Sequence, residues 1–441
     1  METGIIIGIL VFFLGLAISI PITWVFLGSS IITLLLSKSS LTFMAGTYFH
    51  SFDSFVLMAI AFFVFLGTLA GTSGIAQKLI DVSYMIVGKI KGGMVAVGII
   101  TTVFLGALTG SSLPTISATI PLLVGPLEKY GYERRYTTAV LCSCCFLGYL
   151  IPPSVPVLIY CLFSKQSVAA VFLSTIIPGF MLAGGYLILN SIICDKYKHT
   201  TKEKSKDFIV LTRKEKIKTI LGALPAVGIP LIILIGIYGG ICTPNEAGAL
   251  GLVYTAFIAK FVYRTLDRKN ALRATKRAVI SVGMIFGLIG FAMIFARVFT
   301  REGVIQLFVN SITSISDNRF VVLMIINIIL LILGMFVDDI PILVIAVPLL
   351  IPLAERVGVN LVHLGAIMVF NIGVGIITPP YALSIFLGSS LSGVSYSELL
   401  KIMVLYLLIV ALPVLFLTTY IPALSCWLPT LIMGPEIVGS W

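Results

Sequence analysis

Two adjacent carboxylates, Asp338 and Asp339, stand in the middle of an apolar stretch running from about residue 320 to residue 358. An ionised carboxylate near the centre of a bilayer costs on the order of 2.5–3.5 kcal/mol on insertion scales, so such a residue is a functional candidate by default. Asp338 is read as a functional carboxylate. Asp339 serves either the same site or the cap of a half-helix that begins at Ile340. An earlier stretch, from about 92 to 131, is interrupted at Gly106-Ala-Leu-Thr-Gly-Ser-Ser112. There Thr109, Gly110, Ser111 and Ser112 precede a second half-helix whose free N–H groups and positive dipole end suit an anion. Close helix packing by small residues is the rival account.

A span broken at a proline pair follows each stretch: Leu147 to Ser154, with Gly148, Ile151, Pro152 and Pro153, and Asn371 to Pro380, with Gly373, Gly375, Thr378 and Pro379. Proline lacks a donor and clashes with the preceding turn, so carbonyls leave the helix ladder. In a bilayer those carbonyls must meet protein, water or an ion. Hard cations take oxygen ligands; freed carbonyls with a Ser, Thr or Asp oxygen from a hairpin tip therefore make a plausible sodium cage. A kink packed by neighbouring helices would explain one such pair. Two in register, each after a polar tip, favour an ion site.

These residues need a membrane scaffold, and the composition supplies one. Of 441 residues, 59% are hydrophobic and 11% charged, which places the chain in a bilayer as one polytopic domain and leaves no soluble catalytic domain. The formal charge of +11 does not point to nucleic acid. The basic residues sit in short loops, as at 196–218 and 264–277, which is the positive-inside pattern of cytoplasmic loops. The first apolar run, Gly4 to Leu27, lacks a basic leader and a small-residue cleavage site and is expected to remain as a mature span. Cys142, Cys144 and Cys145 lie in an apolar segment and read as buried packers. His50, His199 and His363 each lie near the end of an apolar stretch and are expected at interfaces.

Counting outward from the basic loop, Ile220–Tyr238 goes out, Asn245–Tyr263 returns and Val279–Ala296 exits, leaving 301–319 outside. The two interrupted stretches have halves of only about 14 residues, too short to span, and read as re-entrant hairpins. Lys89, Lys91, Lys129, Arg134 and Arg135 put both ends of the first inside. By the span count the second, flanked by Arg319, Glu355 and Arg356, opens outside. An ordered series of Gly and Pro pairs supports an inverted repeat: Gly131 with Gly358, Pro121 with Pro348 and Pro152-Pro153 with Pro379-Pro380, all offset by 227. Gly106 with Gly334 (228) and Pro126 with Pro352 (226) need small indels. Inverted repeats with interrupted helices are a design of secondary transporters, with the site near the midplane. The expected fold is therefore an all-α polytopic membrane protein of inverted repeats, with two re-entrant hairpins and two interrupted helices. Its parts are 1–91 (first-repeat spans), 92–194 (hairpin, interrupted helix and following span), 195–218 (basic cytoplasmic loop), 219–319 (second-repeat spans), 320–398 (second hairpin and interrupted helix) and 399–441 (C-terminal span).

The run Gly92-Gly93, Gly106 to Ser112, Gly131-Tyr132, Ile151-Pro-Pro-Ser154 and Ile177-Pro-Gly179 resembles the first half of the large membrane subunit of tripartite ATP-independent periplasmic (TRAP) transporters. Pro244-x-Glu246-Ala247, Gly334 to Asp338, Pro348, Pro352, His363-x-Gly365 and Thr378-Pro-Pro380 are similar to its second half, and the resemblance covers nearly the whole chain. It implies an elevator-type secondary importer, multi-pass in a bacterial inner membrane. Such an importer moves an organic acid, for example a C4-dicarboxylate or sialic acid, with sodium as coupling ion and no other cofactor. It implies two partners, a periplasmic substrate-binding protein and a small four-helix membrane subunit. Sodium sites carry over onto Ser111, Ser112 and the Gly148–Pro153 break, and onto Gly334, Val337, Asp338 and the Gly373–Pro380 break. Asp339 departs from the small or neutral residue the family pattern would place there. The sequence has no G-x-x-x-x-G-K-[ST] motif for ATP hydrolysis. The rival readings are a stand-alone sodium-coupled anion carrier and a membrane-embedded enzyme, for which no H-E-x-x-H or Ser/Lys constellation stands out.

Overall fold

The computed structural model describes residues 2–37, 40–198 and 213–441; His199 and most of the basic loop lie outside them. The described residues form helices joined by short turns, with no strand among them beyond one isolated bridge, Tyr132 to Lys198. The first part holds α1 (Glu2–Ala17), α2 (Ile22–Leu36), α3 (Thr42–Ser51), α4 (Phe55–Thr72) and α5 (Ile75–Val87). It continues through α6 (Gly93–Thr109), α7 (Ser112–Lys129), α8 (Arg134–Cys144), α9 (Leu147–Leu150), α10 (Val155–Ser164) and α11 (Val168–Ile193). The second part holds α12 (Arg213–Tyr238), α13 (Pro244–Phe257), α14 (Arg268–Arg301), α15 (Val304–Ile315), α16 (Arg319–Phe336) and α17 (Asp339–Arg356). Then come α18 (Leu361–Ile376), α19 (Leu383–Ser392), α20 (Tyr396–Tyr406), α21 (Leu412–Tyr420) and α22 (Ala423–Met433). Six of these helical stretches are long and apolar enough to cross a bilayer, and the bent α8–α10 run makes up to seven. The chain is a polytopic all-α membrane protein.

Several expectations change. Gly4–Leu27 is not one span: Ser19 takes a left-handed backbone (φ 61), Pro21 cannot continue the ladder, and α2 folds back on α1, where Ser29 Oγ donates to Gly8 O at 2.7 Å. The hairpin arms are 17 and 18 residues in the first repeat and 18 and 18 in the second, not about 14. At 1.5 Å per residue that is about 26 Å. What sets them apart is the turn between arms, because length alone nearly matches the bilayer core. The 301–319 segment, for which only sidedness was expected, carries the helix α15. His363 is fully buried, not interfacial: its ring bonds Ser425 Oγ at 2.5 Å and Thr419 O at 3.1 Å, pinning α18 to α21 and α22. His50 is exposed, and Cys142, Cys144 and Cys145 are free and buried.

The repeat is present in the element boundaries. α7 and α17 begin at 112 and 339 and end at 129 and 356, while α8 and α18 begin at 134 and 361, each pair offset by 227. The two copies run in opposite directions. At one end the Arg134 side chain, at the start of α8, donates to Ser392 O at the end of α19 (2.7 Å). At the other, Tyr160 Oη in α10 donates to Leu361 O at the start of α18 (2.5 Å). The α8–α10 path therefore starts where α18–α19 finishes. The hairpin bases, Lys129–Arg134 and Arg356–Leu361, sit at opposite ends of the molecule and the tips meet between them. The halves also exchange partners: α10 packs on α17, and α19 packs on α7.

Cysteines placed at the exposed positions Ile90 and Lys129 are accordingly expected to react with a membrane-impermeant thiol reagent from one side only, and a cysteine at Asp317 from the other. Labelling of all three from one face would refute the inverted arrangement.

Candidate functional site

Each hairpin tip is shaped by its local sequence. In the first, Gly110 ends α6 in the left-handed region (φ 60), a conformation glycine adopts at little cost. Its carbonyl accepts from Val155 N at 3.0 Å, which ties the tip to the start of α10. Thr109 Oγ1 lies 2.8 Å from Thr115 Oγ1 and donates to Ser111 O at 3.1 Å. Ser112, the first residue of α7, has its Oγ 2.6 Å from the buried Tyr149 Oη. In the second tip Val337 is extended, and Asp338 caps α17 by accepting from Asp339 N at 2.9 Å. Of the two roles open to Asp339, the cap falls to Asp338 instead. Asp339 is the first residue of α17 and only 5% exposed.

Both tips open on one cavity of about 370 Å³. Thr109, Ser111, Leu113 and Pro114 line it from the first tip, Asp338, Asp339 and Ile340 from the second, and Val155 from α10. The opposite wall comes from two spanning helices: Val64, Gly67 and Thr68 of α4, and Ser281, Met284 and Ile285 of α14. Among the residues lining it, two are acidic and none is basic.

The remaining expected site residues lie behind this cavity. Gly106 of α6 crosses Gly148 so closely that a Cβ on the first would fall 2.5 Å from the Cα of the second. Gly334 of α16 crosses Gly375 in the same way, at 2.8 Å. These glycines bring each hairpin backbone onto its interrupted helix, and Gly373 lets the second interrupted helix close on the Phe146 ring of the first. Ile151, Pro152 and Pro153 are buried, and both Pro-Pro peptide bonds are cis. Hydroxyls already serve several carbonyls of the second break: Thr378 Oγ1 donates to Val374 O (2.6 Å), Ser384 Oγ to Ile376 O (3.2 Å) and Tyr396 Oη to Pro380 O (2.7 Å). Beyond the membrane region, Lys91 at the foot of the first hairpin bonds Asp195 at 2.9 Å and holds its carboxyl below the usual range.

Sequence reasoning missed the cavity wall from α4 and α14, whose only signals are Thr68 and Ser281 in otherwise apolar spans. It also did not single out Tyr149 within the Leu147–Ser154 break, where its hydroxyl bonds Ser112.

Residues 9–424 match the family model described as tripartite ATP-independent periplasmic transporter, DctM component. The chain is 34% identical to a C4-dicarboxylate TRAP transporter large permease protein of Vibrio cholerae over 463 residues, 98% of each chain. It is 30% identical to a sialic acid TRAP transporter large permease protein of the same organism, with 96% of each covered. It is 32% identical to an isethionate TRAP transporter permease protein, DctMQ, of Oleidesulfovibrio alaskensis, covering 94% of this chain and 64% of that one. Among solved structures the fold is similar to the YdaH transporter of Alcanivorax borkumensis (TM-score 0.61, 16% identity, 88% and 89% covered). It is also similar to MtrF of Neisseria gonorrhoeae, described as one of a class of antimetabolite efflux pumps (TM-score 0.63, 14% identity, 86% and 83% covered).

Proposed function

The chain belongs to the DctM-component family of TRAP transporters, and from that premise we propose that it imports an organic acid with sodium as the coupling ion. A periplasmic binding protein delivers the acid, and a small membrane subunit completes the assembly in a bacterial inner membrane. One observation carries the reading: the two tips meet at a cavity whose lining holds Asp338 and Asp339 and no basic side chain. An anion entering beside carboxylates in a low-dielectric site is repelled unless cations accompany it. Sodium bound at the tips answers both needs, since it neutralises the carboxylates and draws in the acid. Anionic substrate and coupling ion then occupy the site together. The hairpins and interrupted helices form the unit that moves, and α4 and α14 form the wall it moves against.

Proteoliposomes holding the permease, its small subunit and a binding protein are expected to accumulate the acid when a sodium gradient is imposed, and to ignore ATP. Equal uptake with potassium replacing sodium on both sides would reject the reading. Full uptake without the two partners would favour a stand-alone carrier.

A further inference from the structure

A second cleft lies where the second hairpin meets the helices beside it, and its two halves differ in character. The first half, about 280 Å³, is lined by apolar side chains, among them Phe13 of α1, Phe299 of α14, Phe308 of α15 and Leu349 of α17. The other, also about 280 Å³, holds Thr300, Gln306, Asn310 and Arg356. Ile305 lines both, and Pro348, Pro352 and Arg356 run from the apolar half into the polar one. Spaced by four, these three share one face of α17. Arg356 ends α17 at the base of the hairpin, and from Leu349 to Arg356 the helix rises about 10 Å. The cleft is therefore polar at a membrane boundary and apolar towards the interior.

That order of polarity selects the occupant. A cavity lined by Phe, Ile and Leu offers water no partners, so it stays dry and takes hydrocarbon. In a bilayer the hydrocarbon at hand is an acyl chain, and Phe13, 60% exposed, puts this wall at the lipid. A chain gains little by leaving bulk lipid for the cleft, because lipid tails are as apolar as leucine. What separates a held lipid from a passing one is thus the headgroup contact. Arg356 supplies it: its Nη1 donates to Asn310 Oδ1 at 3.3 Å and its Nε stands 4.0 Å from Asp317 Oδ1. A guanidinium carries five N–H donors in a planar fork that suits a phosphate, and an ion pair this long and this exposed competes weakly with one. A free anion would fill the polar half alone, whereas an amphiphile fills both.

We propose that this cleft binds a phospholipid from the leaflet on the Arg356 side, with the phosphate on Arg356 and one acyl chain between α1, α14 and α17. On the transport reading above, α17 moves and α14 does not, so the lipid sits across the sliding surface. The site itself does not depend on that reading, since none of its residues lies at a hairpin tip.

The test is photolabelling of the complete assembly, the permease with its small subunit, purified in detergent and given phosphatidylglycerol that carries a diazirine at mid-chain. Peptide mapping is expected to find the label concentrated around the cleft on α1, α14 and α17, above its level at the exposed Phe180, Ile188 and Ile192 of α11. Unlabelled phosphatidylglycerol should compete for the cleft. Glycerol phosphate, which has no chain, and a long-chain alcohol, which has no phosphate, should not compete at the same concentration. Arg356→Gln should weaken cleft labelling roughly threefold to tenfold, the scale of one charge-assisted hydrogen bond. Ala296→Trp, which fills the apolar half, should remove it and leave α11 labelling unchanged. If one variant does not assemble, the other decides by the same readout. Labelling no denser at the cleft than on α11 overturns the proposal. So does competition by glycerol phosphate, which would make this an anion site, or by the alcohol together with an unaffected Arg356→Gln, which would make it an unselective crevice. Labelling of the permease alone that vanishes in the complete assembly would also overturn it, by showing the small subunit to be the occupant. None of these outcomes touches sodium-driven uptake, so the failure of this site and the failure of the transport reading are distinguishable.

Discussion

Asp338→Asn is expected to insert and assemble normally, yet to need about ten times more sodium, or more, for half-maximal uptake. The capping bond from Asp339 N to Asp338 Oδ1 survives the change, because an asparagine carbonyl caps a helix about as well as a carboxylate. What disappears is the charge facing the cavity between the tips. Interactions with a full charge are worth about 1.5–3 kcal/mol where a neutral hydrogen bond is worth about one, and each 1.4 kcal/mol is roughly a factor of ten in affinity. Asp339→Asn should be milder, since Asp339 is only 5% exposed and does not supply the capping bond. Sodium-activation curves of uptake, beside size-exclusion profiles of the purified assembly, check both variants. An unchanged midpoint for Asp338→Asn would assign the carboxylate to capping alone and leave cation binding to backbone carbonyls.

The second large effect belongs to the glycine crossings. Alanine at Gly106 would put a Cβ 2.5 Å from the Cα of Gly148, and alanine at Gly334 would put one 2.8 Å from the Cα of Gly375. Overpacking a core typically costs about 1–3 kcal/mol when side chains can adjust. Here the obstruction is backbone on both sides, so no rotamer relieves it and the hairpin must lift off its interrupted helix. Both substitutions are expected to abolish uptake and to lower the melting temperature of the purified protein. Gly125→Ala and Gly184→Ala should do neither, because a Cβ at those positions meets nothing within 4 Å. Normal uptake by Gly106→Ala or Gly334→Ala would show that hairpin and interrupted helix need not touch at that point.

The parts of this architecture that break rules of apolar sequence were legible before the fold was seen. Asp338, the Gly110–Ser112 turn and the proline pairs each interrupt a long hydrophobic run, and interruptions survive in a bilayer only where protein, water or an ion receives the exposed polar groups. The 227-residue register was legible because glycine and proline mark backbone geometry. Gly106 and Gly148 meet because neither has a side chain, and so do Gly334 and Gly375. The wall formed by α4 and α14 was not legible. A spanning helix is apolar on its lipid face and on its protein face alike, so its periodicity does not say which side meets the tips. Tyr149 was hidden for a related reason, since a tyrosine among Leu and Ile reads as packing until the partners of its hydroxyl are known. Nor did the 14-residue estimate for the hairpin arms hold. The second arm of each hairpin continues as helix through Pro121 and Pro126, or Pro348 and Pro352.

The exchanged packing of the halves bears on how such a chain is made. The helix that covers α7 is α19, which begins at Leu383, while α7 itself ends at Lys129. The ribosome must therefore add 383 − 129 = 254 residues before the first hairpin has its partner. At roughly 5–20 residues per second that is on the order of ten to fifty seconds. For that time a hairpin with a polar tip waits in the bilayer without the surface that shelters it. A nascent chain stopped after its first repeat is consequently not half a transporter. It is an orphaned hairpin, open to the quality-control proteases that survey the membrane, and the arrest point at which it first resists them is expected to fall after Ser392, where α19 is complete.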